Sequence, residues 1–252
     1  MKVKIISSGS KGNSTFIESN GTRILVDVGV TFQRIKKTLE EIDEDVNKID
    51  AVLISHEHSD HMSGLASLIK KIGCHVYIKK ELLNPIKKVI DDEYIEIVDT
   101  DIKIGTINID LFNTSHDVPN NGYLIEDDGK SIIYITDTGY ISKKIIDITK
   151  NKSLYIIESN HDEEMLMNGP YPFILKQRVL SDTGHLSNEA STSYLKKVIG
   201  SNTNYIILAH ISENNNTYEL ALNNAKEKLD GVFNTDNIIV ATQVNGSKLI
   251  EL

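Results

Sequence analysis

The chain has 252 residues, of which 40% are hydrophobic, and 27 basic residues stand against 36 acidic ones for a net charge of −9. That length suits one domain over residues 1–252, able to bury about 70–75% of its unfolded surface. The charge excludes coating of nucleic acid by a general basic surface, though not a local grip on phosphates through bound cations. The single cysteine, Cys74, excludes an internal disulfide framework and suits the reducing cytoplasm. No apolar run approaches the ~20 residues needed to cross a bilayer, and the start Met1–Ile6 is too soon interrupted for a signal peptide.

In chain order, apolar runs predict strands at Val3–Ser7, Thr15–Glu18 and Arg23–Asp27, then a helix over Thr31–Ile42 and a buried strand at Ala51–Ser55. A helix at Leu65–Ile72, a strand at His75–Ile78, a helix at Lys80–Ile90 and a strand at Tyr94–Val98 follow. Ile107–Asn113, Gly122–Ile125 and Ser131–Thr136 read as strands, and Ile141–Ile148 as a helix. The remainder alternates: strand Leu154–Glu158, helices Pro172–Leu180 and Asn188–Ile199, strand Tyr205–Ala209, helix Thr217–Leu229, strands Asn237–Ala241 and Lys248–Glu251. Ser-Asn-Gly at 19–21 and Asp-Asp-Gly at 127–129 predict hairpin turns. Hairpins early and interleaved helices throughout indicate an α/β protein; two mixed sheets covered by helices in four layers satisfy that pattern, but periodicity alone does not fix the number of sheets.

The most informative segment is His-Glu-His-Ser-Asp-His at 56–61, which leaves the strand Ala51–Ser55. In extended chain, alternate side chains face the same way, so His56, His58 and Asp60 can converge while His61 turns in from the following bend. One tetrahedral ion cannot easily use all four, and His with Asp suits a pair of divalent ions. Three more candidates stand just after apolar strands: His116, Asp137 and His210. Singly, each reads as a hydrogen-bonded strand end. Jointly, His116 can complete a three-histidine site with His56 and His58. Asp60, His61 and His210 can form a second, with Asp137 bridging both.

This set resembles the metallo-β-lactamase-fold hydrolases, and the resemblance spans nearly the whole chain. It implies a four-layer αββα sandwich and two divalent ions, Zn2+ or Mn2+, on His56, His58, Asp60, His61, His116, Asp137 and His210. The opening Ser7-Ser8-Gly9-Ser10-Lys11-Gly12-Asn13-Ser14 is similar to the YycJ/WalJ-like subgroup, as are Glu158-Ser159-Asn160-His161-Asp162 and Gly184-His185-Leu186-Ser187-Asn188. That subgroup implies a cytoplasmic nuclease with DNA or RNA as substrate, 5′-to-3′ exonuclease action being one form.

Comparison with ribonuclease Z gives two further residues a role. Glu158 and His185 resemble, in their order along the chain, a Glu and a His that assist phosphodiester cleavage there. On that reading Glu158 orients and charges His185, which stabilises the scissile phosphate or protonates the leaving oxygen. No insertion resembles the transfer-RNA-gripping arm of ribonuclease Z. The expected reaction is phosphodiester hydrolysis by hydroxide generated on the ions, with Asp60 accepting a hydrogen bond from the nucleophile. The alternative is an ester, thioester or lactone hydrolase of the same fold. The Ser7–Ser14 loop reads equally as a hairpin turn or a phosphate-holding loop, His161 either joins the site or packs, and His75 reads as non-coordinating.

Overall fold

The computed structural model describes residues 1–252. Its strands are β1 (Lys2–Ser7), β2 (Ser14–Ser19), β3 (Thr22–Val26), β4 (Ala51–Leu53), β5 (His75–Ile78), β6 (Ile95–Ile97), β7 (Asp101–Ile104), β8 (Ile107–Thr114), β9 (Asn120–Asp127), β10 (Lys130–Ile135), β11 (Leu154–Glu158), β12 (Tyr205–Ala209), β13 (Ile238–Val240) and β14 (Ile250–Glu251). Its helices are α1 (Phe32–Glu40), α2 (Ser59–Met62), α3 (Leu65–Ile72), α4 (Leu83–Ile86), α5 (Lys143–Ile148), α6 (Glu163–Asn168), α7 (Phe173–Leu180), α8 (Asn188–Val198) and α9 (Tyr218–Leu229).

Strands such as β11, Leu-Tyr-Ile-Ile-Glu, are apolar on both faces, which a sheet requires when it is covered on both sides. Leu154 and Ile156 point into the core between the sheets, while Tyr155 and Ile157 point into the core beneath the helices. The period of two therefore feeds two cores from one strand. One seven-stranded sheet runs β14-β1-β2-β3-β4-β5-β6, and the other runs β13-β12-β11-β10-β9-β8-β7. Each mixes antiparallel hairpins with parallel pairs: β3 to β6 on one side, β10 to β13 on the other. A central core of Val3, Ile5, Val26, Leu53, Tyr123, Ile132, Ile156 and their neighbours joins the sheets. A second core packs α1, α3 and α4 on the first sheet, and a third packs α5, α8 and α9 on the second. The protein is thus an αββα sandwich.

Both predicted hairpins form, with positive φ at Asn20 and Gly21 and at Asp128 and Gly129, the backbone of a two-residue turn matched to strand twist. Other boundaries differ. The helix expected over Lys80–Ile90 is a 3-10 turn at Lys80–Leu82 followed by the single turn of α4, because Pro85 lacks an amide hydrogen and fits only a first turn. Strand β7 and helices α2 and α6 were not expected. The capping residues Thr31, Ser142, Asp162, Ser187 and Thr217 each accept a backbone N–H in the first turn of their helices, so the helices begin one residue or more after them.

The parallel strands of both sheets end at one edge of the sandwich. Ligands in open α/β sheets bind at such carboxyl ends.

Candidate metal centre

Asp27, Asp137 and His210 directly follow or nearly follow β3, β10 and β12, and all three adopt positive φ, at 61°, 56° and 53°. This left-handed backbone is uncommon outside glycine and costs of order 1–3 kcal/mol where it is imposed. It turns each side chain back across the sheet ends. Hydrogen bonds hold the strained turns: Asn120 Nδ2 donates to the carbonyls of Thr136 and Asp137 at 2.9 and 2.6 Å. The His210 amide donates to Ser8 Oγ at 2.7 Å.

His56 to His61 run from β4 into α2. His58 is the residue before the helix, with φ −65° and ψ 146°, and its ring makes no cap bond, so it is free to face the site. The backbone of this turn is tied to a neighbouring loop: Val28 N donates to the His61 carbonyl at 2.7 Å and Asn13 N to that of Asp60 at 2.7 Å. Gly29 permits the approach, since a Cβ there would lie 1.6 Å from the Asp60 carbonyl oxygen.

The rings of His56, His58 and His116 form a triangle with centroids 4.8, 5.3 and 5.2 Å apart. A second group joins Asp60, His61 and His210, and Asp137 belongs both with His56 and His61 and with Glu158, His185 and His210. Within each group the ligand atoms lie within 4.8 Å of one another. The structure therefore brings together all seven residues expected to bind ions, with Asp137 between the two sets. His185 and Glu158 border them. His75 stands apart, exposed and paired with Glu96 at 3.2 Å.

The residues fit divalent cations. His56 Nε2, His116 Nε2, His210 Nε2 and Asp137 Oδ2 are buried and have no partner in hydrogen-bond geometry, although His116 Nε2 lies 3.2 Å from Asp117 Oδ1 and Asp137 Oδ2 lies 3.1 Å from His61 Nε2; that is a costly state for polar atoms unless an ion or water meets them. The charge balance agrees. Burial opposes protonation of His61, but the carboxylates of Asp27 and Asp137 outweigh it and lift the imidazole to about 10, so the pocket favours positive charge. Burial would raise the Asp137 carboxyl, yet His210 and His61 hold it well below the usual carboxylate range.

Asp27 went unnoticed in the sequence. Its Oδ2 accepts from His61 Nδ1 at 2.8 Å, Ser55 Oγ at 2.9 Å and Tyr134 OH at 3.1 Å, and its Oδ1 from Ser55 N at 2.8 Å. A carboxylate can only accept, so it fixes the His61 tautomer and turns Nε2 toward the site. The Ser7–Ser14 loop joins the site through Asn13, whose Nδ2 lies 3.2 Å from Asp60 Oδ2 and 2.9 Å from His61 Nε2.

Glu158 is fully buried and accepts four hydrogen bonds. Oε1 takes His185 Nδ1 and His210 Nδ1, both at 2.8 Å, while Oε2 takes the backbone N–H of Thr138 at 2.9 Å and of Leu186 at 3.1 Å. Glu158 thus anchors two backbone amides and meets His185 at once, and it also contacts His210. Burial acts against protonation of His185, but Glu158 outweighs it and holds the imidazole above the ordinary histidine range. His161 is buried with both ring nitrogens unpartnered and its pKa driven down to about 4 by burial, and it lies outside the clustered ligand groups.

A cleft of about 220 Å3 opens onto this edge, lined by Ser10, His116, Asn160, Arg178, His185 and His210 among others. Arg178 pairs with Asp117, which also lies 3.2 Å from His116 Nε2.

Residues 22–211 match the family model described as "Beta-lactamase superfamily domain". Exodeoxyribonuclease WalJ of Streptococcus pneumoniae is 39% identical over 231 residues, covering 87% of this chain and 85% of the relative. Exodeoxyribonuclease YycJ of Bacillus anthracis is 33% identical over 232 residues, 90% of this chain and 88% of the relative. The crystal structure of the metallo-β-lactamase-fold protein YhfI from Bacillus subtilis superposes with a TM-score of 0.76 at 19% identity, covering 100% of this chain and 98% of that one.

Proposed function

Because the chain belongs to the beta-lactamase superfamily, together with the exodeoxyribonucleases WalJ and YycJ, we propose that it is a cytoplasmic, divalent-metal-dependent exonuclease acting on DNA. The observation that carries the metal dependence is the set of buried, unpartnered ligand atoms on His56, His116, His210 and Asp137. His56, His58 and His116 would hold one Zn2+ or Mn2+ ion, and Asp60, His61 and His210 a second, with Asp137 between them. When bound, such ions offset phosphate charge and lower the pKa of water at the site. No helix is long and apolar enough to cross a membrane.

The chain's own residues supply the rest. Asp27 orients His61, and Asn13 donates to Asp60, holding that carboxylate against rotation. Asp60, with a side chain 21% exposed, would accept a proton from the attacking water. Glu158 takes the Nδ1 proton of His185 in a hydrogen bond, which leaves Nε2 of the protonated ring as a donor. As water oxygen bonds to phosphorus and the phosphorus–oxygen bond to the leaving group breaks, that Nε2 proton passes to the departing 3′ or 5′ oxygen. Arg178 at the cleft wall, paired with Asp117, would turn its remaining guanidinium N–H groups to the phosphate.

The test compares His185→Ala with the unaltered chain on an end-labelled oligodeoxynucleotide and on bis-p-nitrophenyl phosphate. The account expects kcat on DNA to fall by about 10²–10⁴-fold. The loss on the activated ester should be smaller, since p-nitrophenolate leaves without a proton, and metal content should not change. Equal losses on both substrates would exclude the proton-donor role. Hydrolysis of S-lactoylglutathione without cleavage of either phosphodiester would replace the nuclease reading with a thioester hydrolase.

A further inference from the structure

Lysine is unevenly spread in this acidic chain. Residues 65–90 contain six lysines (Lys70, Lys71, Lys79, Lys80, Lys87, Lys88) and one acidic residue, Glu81. Residues 188–230, which build the helical layer over the other sheet, contain four lysines and five acidic residues. The segment that follows returns four acidic residues (Asp91, Asp92, Glu93, Glu96), so the lysine excess is confined to α3, β5 and α4.

The fold arranges these lysines in a path. Strand β5 runs parallel to β4, so its end carries Lys79 and Lys80 to the same edge as His56–His61. Lys79 Nζ donates to Asn113 Oδ1, and Lys79 lines an open cleft of about 500 Å3 together with His116 and Asp117. From that edge α4 leads the chain away to Lys87 and Lys88, and the last turn of α3 brings Lys70 and Lys71 to the same far end. There Lys70, Lys87 and Lys88 border a groove of about 500 Å3 with Ile69, Val89 and Tyr94. Asp91 also lines it, and Asp92 pairs with Lys87 at 2.6 Å. Lys70, Lys80 and Lys88 are exposed and form no ion pair, and Lys71 sits 4.4 Å over the Phe32 ring.

Asp91, Asp92 and Glu81 offset part of this charge, but the unpaired Lys70, Lys80 and Lys88 on one face still repel one another and favour a polyanion. The four-residue strand that separates the two ends spans roughly 13 Å, about four nucleotides at 3.4 Å each. We propose that the α3–α4 face, from Lys79 to the Lys70/Lys87/Lys88 groove, binds the phosphate backbone of the DNA several nucleotides from the end being cleaved. The inference rests on the nuclease reading above and adds a second contact that only a long substrate can reach. It reconciles an overall charge of −9 with a nucleic-acid substrate.

The experiment uses the metal-loaded full chain and the triple variant Lys70→Gln/Lys87→Gln/Lys88→Gln. A second triple variant, Lys196→Gln/Lys197→Gln/Lys226→Gln on the opposite helical layer, serves for comparison. KM is measured on oligodeoxynucleotides of three and thirty nucleotides and on bis-p-nitrophenyl phosphate, across a salt series. For the α3–α4 variant KM on the long substrate should rise at least tenfold, with its salt dependence flattened by about 0.7–0.9 per lost phosphate contact. The trinucleotide and the ester, too short to reach the groove, should be turned over as before. Unchanged KM and salt slope on the long substrate, or the same change in the comparison variant, would overturn the inference alone. Cleavage of the ester with no action on either oligonucleotide by the unaltered chain would overturn the nuclease reading and this inference with it.

Discussion

Glu158→Gln is the most informative single substitution. The carboxylate is a double acceptor on both sides, facing two imidazole Nδ1–H groups with one oxygen and two backbone N–H groups with the other. Glutamine keeps only one acceptor atom, so its amide nitrogen must face a pair of donors whichever way it is flipped. If it faces the imidazoles, His185 and His210 lose their partner; if it faces the backbone, Thr138 and Leu186 do. Each buried donor left unsatisfied costs about 1–3 kcal/mol, so two cost about 2–6 kcal/mol. At about 2–4 °C per kcal/mol, the melting temperature should fall by about 4–24 °C. The catalytic effect follows from the same contacts. His185 loses the negative charge that favours its protonated form, and kcat on DNA should fall by about 10²–10⁴-fold. His210 loses the group that orients its ring, and metal affinity should fall by about 10–100-fold. The assay pairs equilibrium dialysis against Zn2+ and Mn2+ with single-turnover cleavage of end-labelled DNA, with His185→Ala run alongside. His185→Ala should lose rate and keep metal, whereas Glu158→Gln should lose both. A Glu158→Gln protein with native metal affinity and native melting temperature would refute the shared role of this carboxylate.

Asp137→Ala removes the one carboxylate grouped with both ligand sets, so it should lose metal and turnover together and more completely than His58→Ala, as read by elemental analysis and ester hydrolysis; retention of both ions would remove its bridging role. Asp27→Asn, which turns one of the acceptors for His61, Ser55 and Tyr134 into a donor, should weaken metal binding about 10–100-fold and cost about 1–3 kcal/mol in urea unfolding. Glu44 gives a pH signature away from the site. Burial acts to raise its carboxyl, but Arg23 at 2.7 Å and Lys2 at 3.1 Å hold it below the ordinary glutamate value. A depressed carboxyl stabilises the fold above its unfolded pKa and loses that contribution as pH falls through the folded one. Glu44→Gln should therefore be less stable by about 1 kcal/mol at pH 7, a modest value because Lys2 is 39% exposed, with the difference closing as the pH is lowered below 4.5.

Much of the site was readable because strands buried on both faces leave a sharp boundary where the apolar run stops. His56, Asp137, Glu158 and His210 stand at or near such boundaries, and the seven expected ligands do converge. Asp27 stands at one too, but a lone acidic residue after Leu25 and Val26 carries no local mark, and its partner His61 is 34 positions away. Asn13 was hidden for the same reason: its loop is glycine-rich like an ordinary turn, and only tertiary packing sets its amide beside Asp60 and His61. Strand β7, Asp-Ile-Lys-Ile, is a short edge strand with two exposed polar positions, too brief for alternation to stand out. Helices α2 and α6 hold four and six residues, below the length at which a 3.6-residue period shows. The Lys80–Ile90 segment has a helical spacing of apolar residues, yet Pro85 decides where its helix can start.

The most direct test of a divalent-metal-dependent DNA exonuclease is the rate of cleavage of end-labelled DNA by metal-stripped protein as Mn2+ or Zn2+ is added back, plotted against ions bound per chain. Two ligand sets sharing Asp137 predict no cleavage without metal and a rate that climbs until two ions are bound, then stays level. Full activity at one ion per chain, or cleavage by the metal-free protein, would contradict the account.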